Sequence, residues 1–293
     1  MEMIKVTVGI PVYNGEEFLA KCLDSIINQT YKNIEIIISD NQSDDLTQEI
    51  CYRYASKDSR IKYIRQEVNR GSMQNFIILA EAAVGEYFMW AGADDVLDAN
   101  WINNLLSKSE RFNCLTFGIV QYINQHDAEI VSTANRIVFE FKGPRLYRQI
   151  KYIFTPWVYG KMILCWGLFP RKKLLNIINK SFVPRWVGAV DSIFVFNVLE
   201  ICNIISVDKV VLHKRNHTNS ESAVASSANR KESNSLICKL LSFLKINMIF
   251  EFAGSMSTAD KIVLIFLTPI IYPIYILRST IHLIKYKINR RSS

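Results

Sequence analysis

The chain has 293 residues, the length of two average domains or one large one. Its composition, 49% hydrophobic and 21% charged, excludes a disordered chain, a collagen-like fibre and a polar low-complexity protein. The net charge of +8 is unevenly distributed, because residues 1–208 carry a net charge of −1 and residues 209–293 a net charge of +9. This distribution predicts an anionic surface, and no nucleic acid, as the partner of the C-terminal part.

Strand and helix patterns alternate over the first hundred residues. Apolar runs of strand length predict four strands, over residues 6–10, 34–39, 61–64 and 86–90. Between them, apolar residues recur at helical spacing. Asn14, followed three residues later by Glu17, predicts a capping box at the start of the first helix. The βαβαβαβ order favours an α/β fold with a mostly parallel, doubly wound sheet flanked by helices.

The rest of the chain is less regular. Residues 115–215 are rich in aromatic side chains, with a helix predicted near 191–200 and a strand near 204–212. A segment rich in Ser, Ala and Asn then predicts a hinge over residues 220–235. Two hydrophobic segments follow the hinge, over residues 236–252 and 262–284.

Polar residues follow the predicted strands at one end of the sheet. Pro11, Tyr13 and Asn14 come at the end of the first strand, Asp40 ends the second, and Arg70 lies in the loop after the third. Because ligands of open α/β sheets bind beyond the carboxyl ends of the strands, these residues predict one shared site.

Each of these residues has a chemical role and a structural alternative. Asp40 could accept a hydrogen bond from the ring N–H of a pyrimidine, or it could cap the next turn. Tyr13 could stack on the same base, or it could pack in the core. The guanidinium of Arg70 matches the oxygens of a phosphate, but a solvated surface arginine has the same sequence signature.

Asp94 and Asp95 are adjacent carboxylates directly after the fourth strand. The two carboxylates repel each other unless a cation or protons compensate their charge. Mg²⁺ and Mn²⁺ prefer oxygen ligands, and in many enzymes they bridge a protein carboxylate and a diphosphate. The pair therefore predicts a divalent metal site, with an acidic turn leading into the next helix as the alternative.

Taken together and in this order, the segments resemble glycosyltransferase family 2, the inverting enzymes of the GT-A fold. The matching pieces are Pro11-Val12-Tyr13-Asn14, Ser39 to Asp45, Asn69-Arg70-Gly71 with Asn75, and Gly85-Glu86-Tyr87 leading to Asp94-Asp95. A weaker resemblance continues through Gly167-Leu168-Phe169, Asp191 and Arg215-x-His217, to about residue 220. The resemblance implies a GT-A type, Rossmann-like sheet flanked by helices.

The resemblance also implies a role for each nucleotide-binding residue. Pro11, Tyr13 and Asn14 would hold the nucleotide base, and Asp40 would bind the pyrimidine. The family's D-x-D motif reads Gly92-Ala93-Asp94 here, so its first aspartate is missing. The last position of the motif is kept, and it implies Asp94 as the first ligand of Mg²⁺ or Mn²⁺, with Asp95 as the second.

The implied reaction is an inverting, metal-assisted glycosyl transfer. Asp191 resembles the family's catalytic base, although the acidic residue that usually precedes it is Val190 here. The base would take the proton of an acceptor hydroxyl, while the metal and Arg70 would stabilise the departing diphosphate. Asp191 could instead cap its helix, and His217 could touch the metal or diphosphate or lie in a solvated loop.

The cysteines and the N-terminus predict a cytoplasmic protein. The six cysteines are at least 29 positions apart, so no C-x-x-C pair exists, and several fall on apolar stripes that predict reduced core thiols. The N-terminus lacks the long apolar segment of a signal peptide. The predicted organisation is a catalytic domain over residues 1–219, with a nucleotide-binding half over 1–100 and an acceptor half over 101–219, followed by the hinge and a tail over 236–293.

The tail predicts contact with a membrane. Residues 262–277 carry no charge but include Pro269 and Pro273, and they fall short of the roughly 20 residues that a full span needs. The basic residues that follow are Arg278, Lys285, Lys287, Arg290 and Arg291. This pattern favours an in-plane or re-entrant segment on anionic lipid at the cytoplasmic face of the plasma membrane, peripheral or monotopic. Packing on the catalytic domain, or a dimer face, is the alternative.

The sequence thus predicts a glycosyltransferase that uses a UDP, dTDP or CDP sugar and a glycan or lipid-linked acceptor in surface polysaccharide synthesis. A non-catalytic scaffold of the same fold stays open, because Gly92 and Val190 depart from the family pattern. A sugar-phosphate nucleotidyltransferase also stays open, although that class would show a Gly- and Arg-rich loop where this chain has Pro11-Val12-Tyr13-Asn14.

Overall fold

The structure is a computed structural model that describes residues 3–181, 190–217, 252–254 and 256–291. The predicted hinge and all but the last residue of the segment 236–252 lie outside the described residues. The side chains of residues 285–291, which include four of the five basic residues after the apolar segment, also lie outside the description.

The first ninety residues form alternating strands and helices, as the sequence pattern predicts. In chain order these are β1 (Val6–Val12), α1 (Leu19–Ile27), β2 (Ile34–Asp40), α2 (Thr47–Ala55), β3 (Ile61–Arg65), α3 (Ser72–Ala82) and β4 (Tyr87–Trp90). The side chains of Ile36, Ile37 and Ile38 are all completely buried, which explains why β2 reads as a continuous apolar run.

The remaining elements complete this sheet and build a second one. They are β5 (Val96–Leu97), α4 (Trp101–Phe112), β6 (Leu115–Ile123), β7 (Glu140–Phe141), α5 (Arg145–Ile153), two 3₁₀ helices (Trp157–Tyr159 and Lys161–Trp166), β8 (Phe169–Pro170), α6 (Arg171–Ser181), α7 (Val190–Ile201), β9 (Ile204–Arg215) and α8 (Thr258–Arg291).

The first sheet has the strand order β3-β2-β1-β4-β8. Strands β1 to β4 run parallel, and β8 is antiparallel to β4. In the register of these pairs, Val12 lies opposite Asp40, and Asp40 lies opposite Arg65. The carboxyl ends of three neighbouring strands therefore meet at one edge, and the predicted α/β fold with a mostly parallel sheet is confirmed.

The second sheet has the order β5-β9-β6, and β7 pairs with β9. Strand β6 is parallel to β9 and β5 is antiparallel to it, with Val96 opposite His213. Because β5 begins one residue after Asp95, this pairing places the end of β9 beside the two adjacent carboxylates. The pairs β4–β8 and β5–β9 join residues before and after position 100 into one structure.

The cysteines of the described part of the chain are reduced. Cys22, Cys51, Cys114, Cys165 and Cys202 are free and buried, which confirms the prediction of core thiols for these five. Burial raises the pKa of the Cys51 and Cys114 thiols to about 12, so these thiols are protonated and unreactive at neutral pH.

Helix α8 packs one face against the body of the protein. Leu264 and Tyr275 are buried on that face, and the buried Asp260 accepts a hydrogen bond from the Arg145 guanidinium at 2.8 Å. Pro269 and Pro273 lie within the helix. Judged by length and apolar composition alone, one helix among the described residues could cross a membrane. That helix is α8, over Thr258–Ile284.

Gly118 is required for the packing of the second sheet. It lies at the irregularity in the β6–β9 pairing, where a Cβ atom would come within 2.2 Å of the Trp101 ring and 2.5 Å of the Val210 carbonyl oxygen. We predict that Gly118→Ala lowers the free energy of unfolding by about 1–3 kcal/mol, the typical cost of overpacking a core. Chemical denaturation followed by tryptophan fluorescence measures this change.

Gly254→Ala is the matched control, because among the described residues no atom beyond its chain neighbours and its own helix backbone lies within 4 Å of the position that its Cβ would take. We expect this control to change stability by less than about 0.5 kcal/mol. Equal stability of the two variants would show that the close approach at Gly118 relaxes without cost.

Candidate active site

The loops after β1 and β2 are held together by Asn14. Its backbone N–H donates to the Ser43 hydroxyl at 2.9 Å, and its side-chain oxygen accepts the Asp44 N–H at 3.0 Å. Asn14 adopts a left-handed conformation with φ 51°, which asparagine tolerates better than most residues. The predicted capping box is wrong, because α1 begins only at Leu19 and the Asn14 side chain is engaged between the two loops.

Asp40 ends β2 and is completely buried. One of its carboxylate oxygens accepts the Ser43 N–H at 2.8 Å, and the other accepts the Tyr63 hydroxyl at 2.7 Å and the Arg65 guanidinium at 2.9 Å. Arg65 also donates to the Ser43 carbonyl at 2.8 Å, so Asp40 and Arg65 together shape the loop after β2. The pyrimidine contact that the resemblance implies for Asp40 stays a prediction.

The loop after β3 is tied to the loop after β2 by amide side chains. Asn41 donates to the Asn69 side-chain oxygen at 2.7 Å and accepts the backbone N–H of Arg70 at 2.9 Å. The Arg70 side chain itself is exposed, and Tyr13 is 52% exposed at the end of β1. Pro11 is half-buried within β1. The edge thus presents a ring and a guanidinium to solvent, and Tyr13 is not the core residue that the structural alternative describes.

Asp94 and Asp95 contact different residues at the end of β9. The Asp94 carboxylate lies 3.1 Å from His217 Nε2. Asp95 accepts the Lys214 ammonium at 3.0 Å on one oxygen and the Arg215 backbone N–H at 2.9 Å on the other. The side chain of Asp95 is 2% exposed and that of Asp94 is 27% exposed, so Asp94 is the carboxylate that a ligand can reach.

Arg215 supports this cluster on its buried side. Its buried guanidinium donates to the backbone carbonyl of Asp94 at 2.8 Å and to that of Asn124 at 3.0 Å. It also pairs with the Asp127 carboxylate and lies 4.5 Å from the centre of the Phe18 ring. Phe18 in turn packs against the His217 ring, with 4.9 Å between ring centroids. These contacts restrain the backbone that carries Asp94 and the imidazole that faces it.

The electrostatics of the cluster separate the roles of the two aspartates. Burial raises the pKa of Asp95 to about 6, although the Lys214 ammonium acts in the opposite direction. Burial by itself would lower the pKa of Lys214. The carboxylates of Asp95 and Asp94 have a larger opposite effect, so the pKa of Lys214 is raised. At neutral pH the two groups therefore form an ion pair, and Asp94 is the carboxylate left to face a cation.

Asp94 and His217 could ligate one divalent ion, because a carboxylate oxygen and an imidazole nitrogen 3.1 Å apart can both reach the same centre. Within the described residues, no group of three or more His, Cys, Asp or Glu side chains is arranged to hold a metal. Mg²⁺ sites in enzymes typically combine one or two protein ligands with substrate phosphates and water. The residues present therefore fit a metal that binds together with a diphosphate.

Gly92 occupies the position of the missing aspartate, and the structure gives a steric reason for a glycine there. A Cβ atom there would come within 2.6 Å of an Asp95 carboxylate oxygen and 3.0 Å of an Asp94 carboxylate oxygen. The carbonyl oxygen of Gly92 accepts hydrogen bonds from the Asp95 N–H at 3.1 Å and the buried Cys22 thiol at 3.1 Å. The turn folds both carboxylates over position 92, so a side chain there does not fit this conformation.

Asp191 lies in the first turn of α7 and is exposed. Its charge reaches the same region as the cluster, since Asp191, Asp95 and Lys214 all act on the buried Cys165 thiol. Burial raises the pKa of Cys165 most, the two carboxylates raise it further, and Lys214 lowers it. Asp191 and Asp95 therefore both lie near Cys165, and the role of Asp191 as the base stays a prediction.

The sequence interpretation missed Lys214 and the Tyr63–Arg65 pair. A signal for Lys214 exists, because His213, Lys214 and Arg215 follow the predicted end of the β9 strand directly. The strand-end argument that selected the acidic residues applies equally to this basic run. Arg65 had the same signal, because it directly follows the strand predicted over residues 61–64, and the strand-end argument was not applied to it.

The ion pair between Asp95 and Lys214 predicts a measurable energetic coupling. Asp95→Asn leaves a largely buried ammonium without its counter-charge, and we expect the free energy of unfolding to fall by about 2–3 kcal/mol. The partial exposure of Lys214 keeps this value below that of a completely buried pair. The double variant Asp95→Asn with Lys214→Met removes both charges, and chemical denaturation should show that it regains about half of the loss.

Glu140→Gln is the control, because it breaks the exposed Glu140–Lys142 pair and should cost less than about 1 kcal/mol. Strictly additive effects of Asp95→Asn and Lys214→Met would contradict the coupling.

Residues 7–174, more than half of the chain, match the family described as Glycosyl transferase family 2. The chain therefore belongs to glycosyltransferase family 2, as the resemblance implied. Glycosyltransferase GlyA of Streptococcus pneumoniae is 42% identical over 146 residues, which cover 50% of this chain and 20% of GlyA.

Solved structures share the fold. S. aureus TarS 1-349 in complex with UDP-GlcNAc has a TM-score of 0.56 at 16% identity, covering 74% of this chain and 60% of TarS 1-349. GalNAc-T7 with UDP, GalNAc and Mn²⁺ has a TM-score of 0.56 at 15% identity, covering 74% of this chain and 44% of GalNAc-T7. The fold is of GT-A type, and the chain spans less than two thirds of each of these three proteins.

Proposed function

We propose that this protein transfers a sugar from a nucleoside diphosphate donor to an acceptor hydroxyl, with a divalent metal and inversion at the anomeric carbon. The observation that carries the proposal is the Asp94–His217 pair, 3.1 Å apart, at the sheet edge where Tyr13 and Arg70 are exposed. Membership of glycosyltransferase family 2, and structural relatives solved with UDP, with UDP-GlcNAc and with Mn²⁺, support this assignment.

The donor nucleotide would lie across the ends of β1, β2 and β3. The exposed ring of Tyr13 offers a surface on which a pyrimidine can stack. Pro11 and Asn14 shape the loop beside it, and Asp40 either reaches the base or keeps the loop after β2 in its binding conformation. The Arg70 guanidinium would pair with phosphate oxygens, which its planar fork fits. We take UDP as the first donor nucleotide to test.

The diphosphate would lie at Asp94, His217 and Lys214. Mg²⁺ or Mn²⁺, held by Asp94 and His217, would supply a Lewis acid that offsets the charge of the leaving diphosphate. Asp95 keeps Lys214 charged and fixed in place, 3.0 Å away. Because Lys214 is positioned before the substrate binds, its charge stabilises the leaving group without reorganisation.

The chemical step uses Asp191 as the proton acceptor. The acceptor oxygen forms a bond to the anomeric carbon while the bond from that carbon to the diphosphate oxygen breaks. The proton of the acceptor hydroxyl passes to the Asp191 carboxylate, and the nucleoside diphosphate leaves with the bonding electron pair. The exposed position of Asp191 in the first turn of α7 leaves it accessible to an acceptor.

Nucleotide binding tests this proposal directly. We expect the full chain to bind one pyrimidine nucleotide among UDP, dTDP and CDP in calorimetry, more tightly with Mn²⁺ than without it, and GDP weakly. Asp94→Asn and His217→Gln should each weaken the metal-dependent binding at least tenfold, which corresponds to about 1.4 kcal/mol. Asp208→Asn, an exposed aspartate of β9, is the matched control and should bind like the wild type.

A folded protein that binds none of the four nucleotides would contradict the proposal and favour a scaffold. Metal-independent binding that survives Asp94→Asn would contradict the metal site alone.

We also propose that α8 lies in the plane of a membrane surface at the cytoplasmic face. Its outward side carries apolar residues spaced three or four positions apart, which we call the apolar stripe: Val263, Phe266, Ile270, Ile274, Leu277, Ile281 and Ile284. The stripe extends over about 30 Å, while the opposite face holds Asp260 and His282 against the body. One face of α8 is packed on the protein and the other is apolar and exposed, and an exposed apolar helix face of this kind fits attachment to a membrane interface.

The exposed Arg278 adds a positive charge near the end of the stripe, where anionic lipid would favour it. A membrane-attached catalytic domain fits a lipid-linked acceptor of surface polysaccharide synthesis. The division into a catalytic domain over 1–219 and a tail over 236–293 is part of this proposal.

Charging the apolar stripe should release the protein from lipid. Leu277→Glu places a carboxylate in the stripe, and we expect the fraction that floats with anionic liposomes to fall at least fivefold, because burying a charge in the acyl region is costly. Leu46→Glu is the matched control, since Leu46 and Leu277 are both leucines that are 60% exposed. Unchanged flotation of Leu277→Glu would show that another surface carries the attachment.

A further inference from the structure

A group of basic side chains lies at the end of the second sheet that is remote from Asp94. It is centred on Phe112, whose ring is 40% exposed at the end of α4. The Lys108 ammonium and the Arg111 guanidinium each lie 5.2 Å from the centre of this ring, and the Lys142 ammonium lies 5.8 Å from it. Three cations thus surround one exposed aromatic ring.

Two further lysines extend this group. The Lys173 ammonium donates to the Asn113 carbonyl at 2.7 Å, just before β6 begins, and the Lys151 ammonium lies 6.0 Å from the centre of the Phe141 ring on β7. We call the whole group the basic patch, and its members are Lys108, Arg111, Phe112, Lys142, Lys151 and Lys173.

Acidic side chains offset little of this positive charge. Glu140 pairs with Lys142, and its pKa is lowered chiefly by the hydrogen bond from Lys142 and further by the charges of Lys142, Lys151 and Lys108. The charge of Glu110, although this residue is also on α4, acts instead on Tyr31 and Tyr87. The patch is therefore a strongly positive surface.

The basic patch adjoins the start of α8. Lys142 is three residues before Arg145, so at most about 11 Å of chain separates them. The Arg145 guanidinium in turn donates to Asp260, in the first turn of α8, at 2.8 Å. Lys151 belongs to α5, the helix that Arg145 begins. One end of α8 thus lies beside the patch.

The other end of α8 lies beside the carboxyl ends of β6 and β9. His282 contacts the Thr133 carbonyl at 2.8 Å. In the same loop, Ile130 donates its N–H to the Tyr122 carbonyl at 2.9 Å, and Tyr122 is opposite Lys214 in the β6–β9 pairing. This end of α8 is therefore on the side of the proposed diphosphate site.

Positive charge thus lies at both ends of the apolar stripe. About 33 Å of helix separates Asp260 from His282, with the basic patch near the first end and the exposed Arg278 near the second. A membrane surface combines an apolar layer with a continuous layer of phosphate headgroups, so it matches the stripe and the charges on either side of it together. A soluble polyanion would match the charges but would leave the stripe uncovered.

We propose that the basic patch binds the phosphate headgroups of anionic lipid and forms a second membrane contact on the body of the protein. The proposal rests on the proposed membrane attachment of α8 and adds the body's own contact to it. The Phe112 ring would lie at the level of the headgroups, between its three cations. With both ends of α8 held at the surface, the side of the body that carries Asp94 stays close to the membrane, where a lipid-linked acceptor would be.

Liposome flotation of the full chain tests this proposal. The probes are vesicles of phosphatidylcholine alone and of an equal mixture of phosphatidylcholine and phosphatidylglycerol. The patch variant combines Lys108→Gln, Arg111→Gln and Lys142→Gln. We expect its partition onto the mixed vesicles to fall at least tenfold, because each cation near an anionic surface contributes to binding. Its partition onto the neutral vesicles should stay within twofold of the wild type.

The matched control combines Arg53→Gln, Lys57→Gln and Lys62→Gln. It removes the same three charges from exposed positions on the other side of the chain's first sheet, in and after α2 and on β3. This control should float like the wild type, which excludes an effect of net charge alone. Lys151→Glu reverses one exposed charge of the patch and should lower partition onto the mixed vesicles at least fivefold, which keeps the test independent of how the triple variant folds.

The failures of the two membrane contacts can be told apart. If the wild type floats with neither vesicle, the proposed attachment of α8 fails, and the patch proposal fails with it. If Leu277→Glu stops floating while the patch variant and Lys151→Glu float like the wild type, α8 alone carries the attachment and the patch proposal is overturned. It is also overturned if the patch variant loses binding to soluble polyphosphate while its flotation is unchanged.

Discussion

The buried ion pair between Asp95 and Lys214 is the constraint on which the site depends. A carboxylate that is 2% exposed requires a counter-charge, and the ammonium 3.0 Å away comes from a residue 119 positions later. Satisfying this one charge pins the end of β9 to the turn after β4. The same pairing brings His217 to Asp94 and Arg215 under the backbone of the turn, so a single electrostatic requirement assembles most of the cluster.

Around this cluster, the polar side chains that the sequence suggested as ligand-binding groups mainly form hydrogen bonds within the protein. Asp40 shapes the loop after β2 through Ser43, Tyr63 and Arg65, and Asn41 joins that loop to the one after β3. Because these groups satisfy one another, the loops hold a defined shape before any ligand binds. Tyr13 and Arg70 are among the side chains that these loops leave exposed, and preorganised loops of this kind reduce the cost of binding.

The C-terminal helix connects this edge to a second surface. One face of α8 packs on the body through Asp260 and His282, and the other carries the apolar stripe. The contact of His282 with the Thr133 carbonyl ties one face of α8 to the body, and the apolar stripe lies on another face of the same helix. This arrangement joins the α/β body and the apolar helix through side-chain contacts.

Local hydrophobic periodicity and chain direction were enough to predict the alternation of strands and helices and the edge at which Asp40, Asp94 and Asp95 lie. They did not reveal that Asn14 bridges two loops in place of capping a helix, that position 92 has no room for a side chain, or that Lys214 neutralises Asp95. Those facts were decided by the tertiary structure. The partner of a buried polar group is selected by the register of strands far apart in the chain, and no local pattern encodes that register.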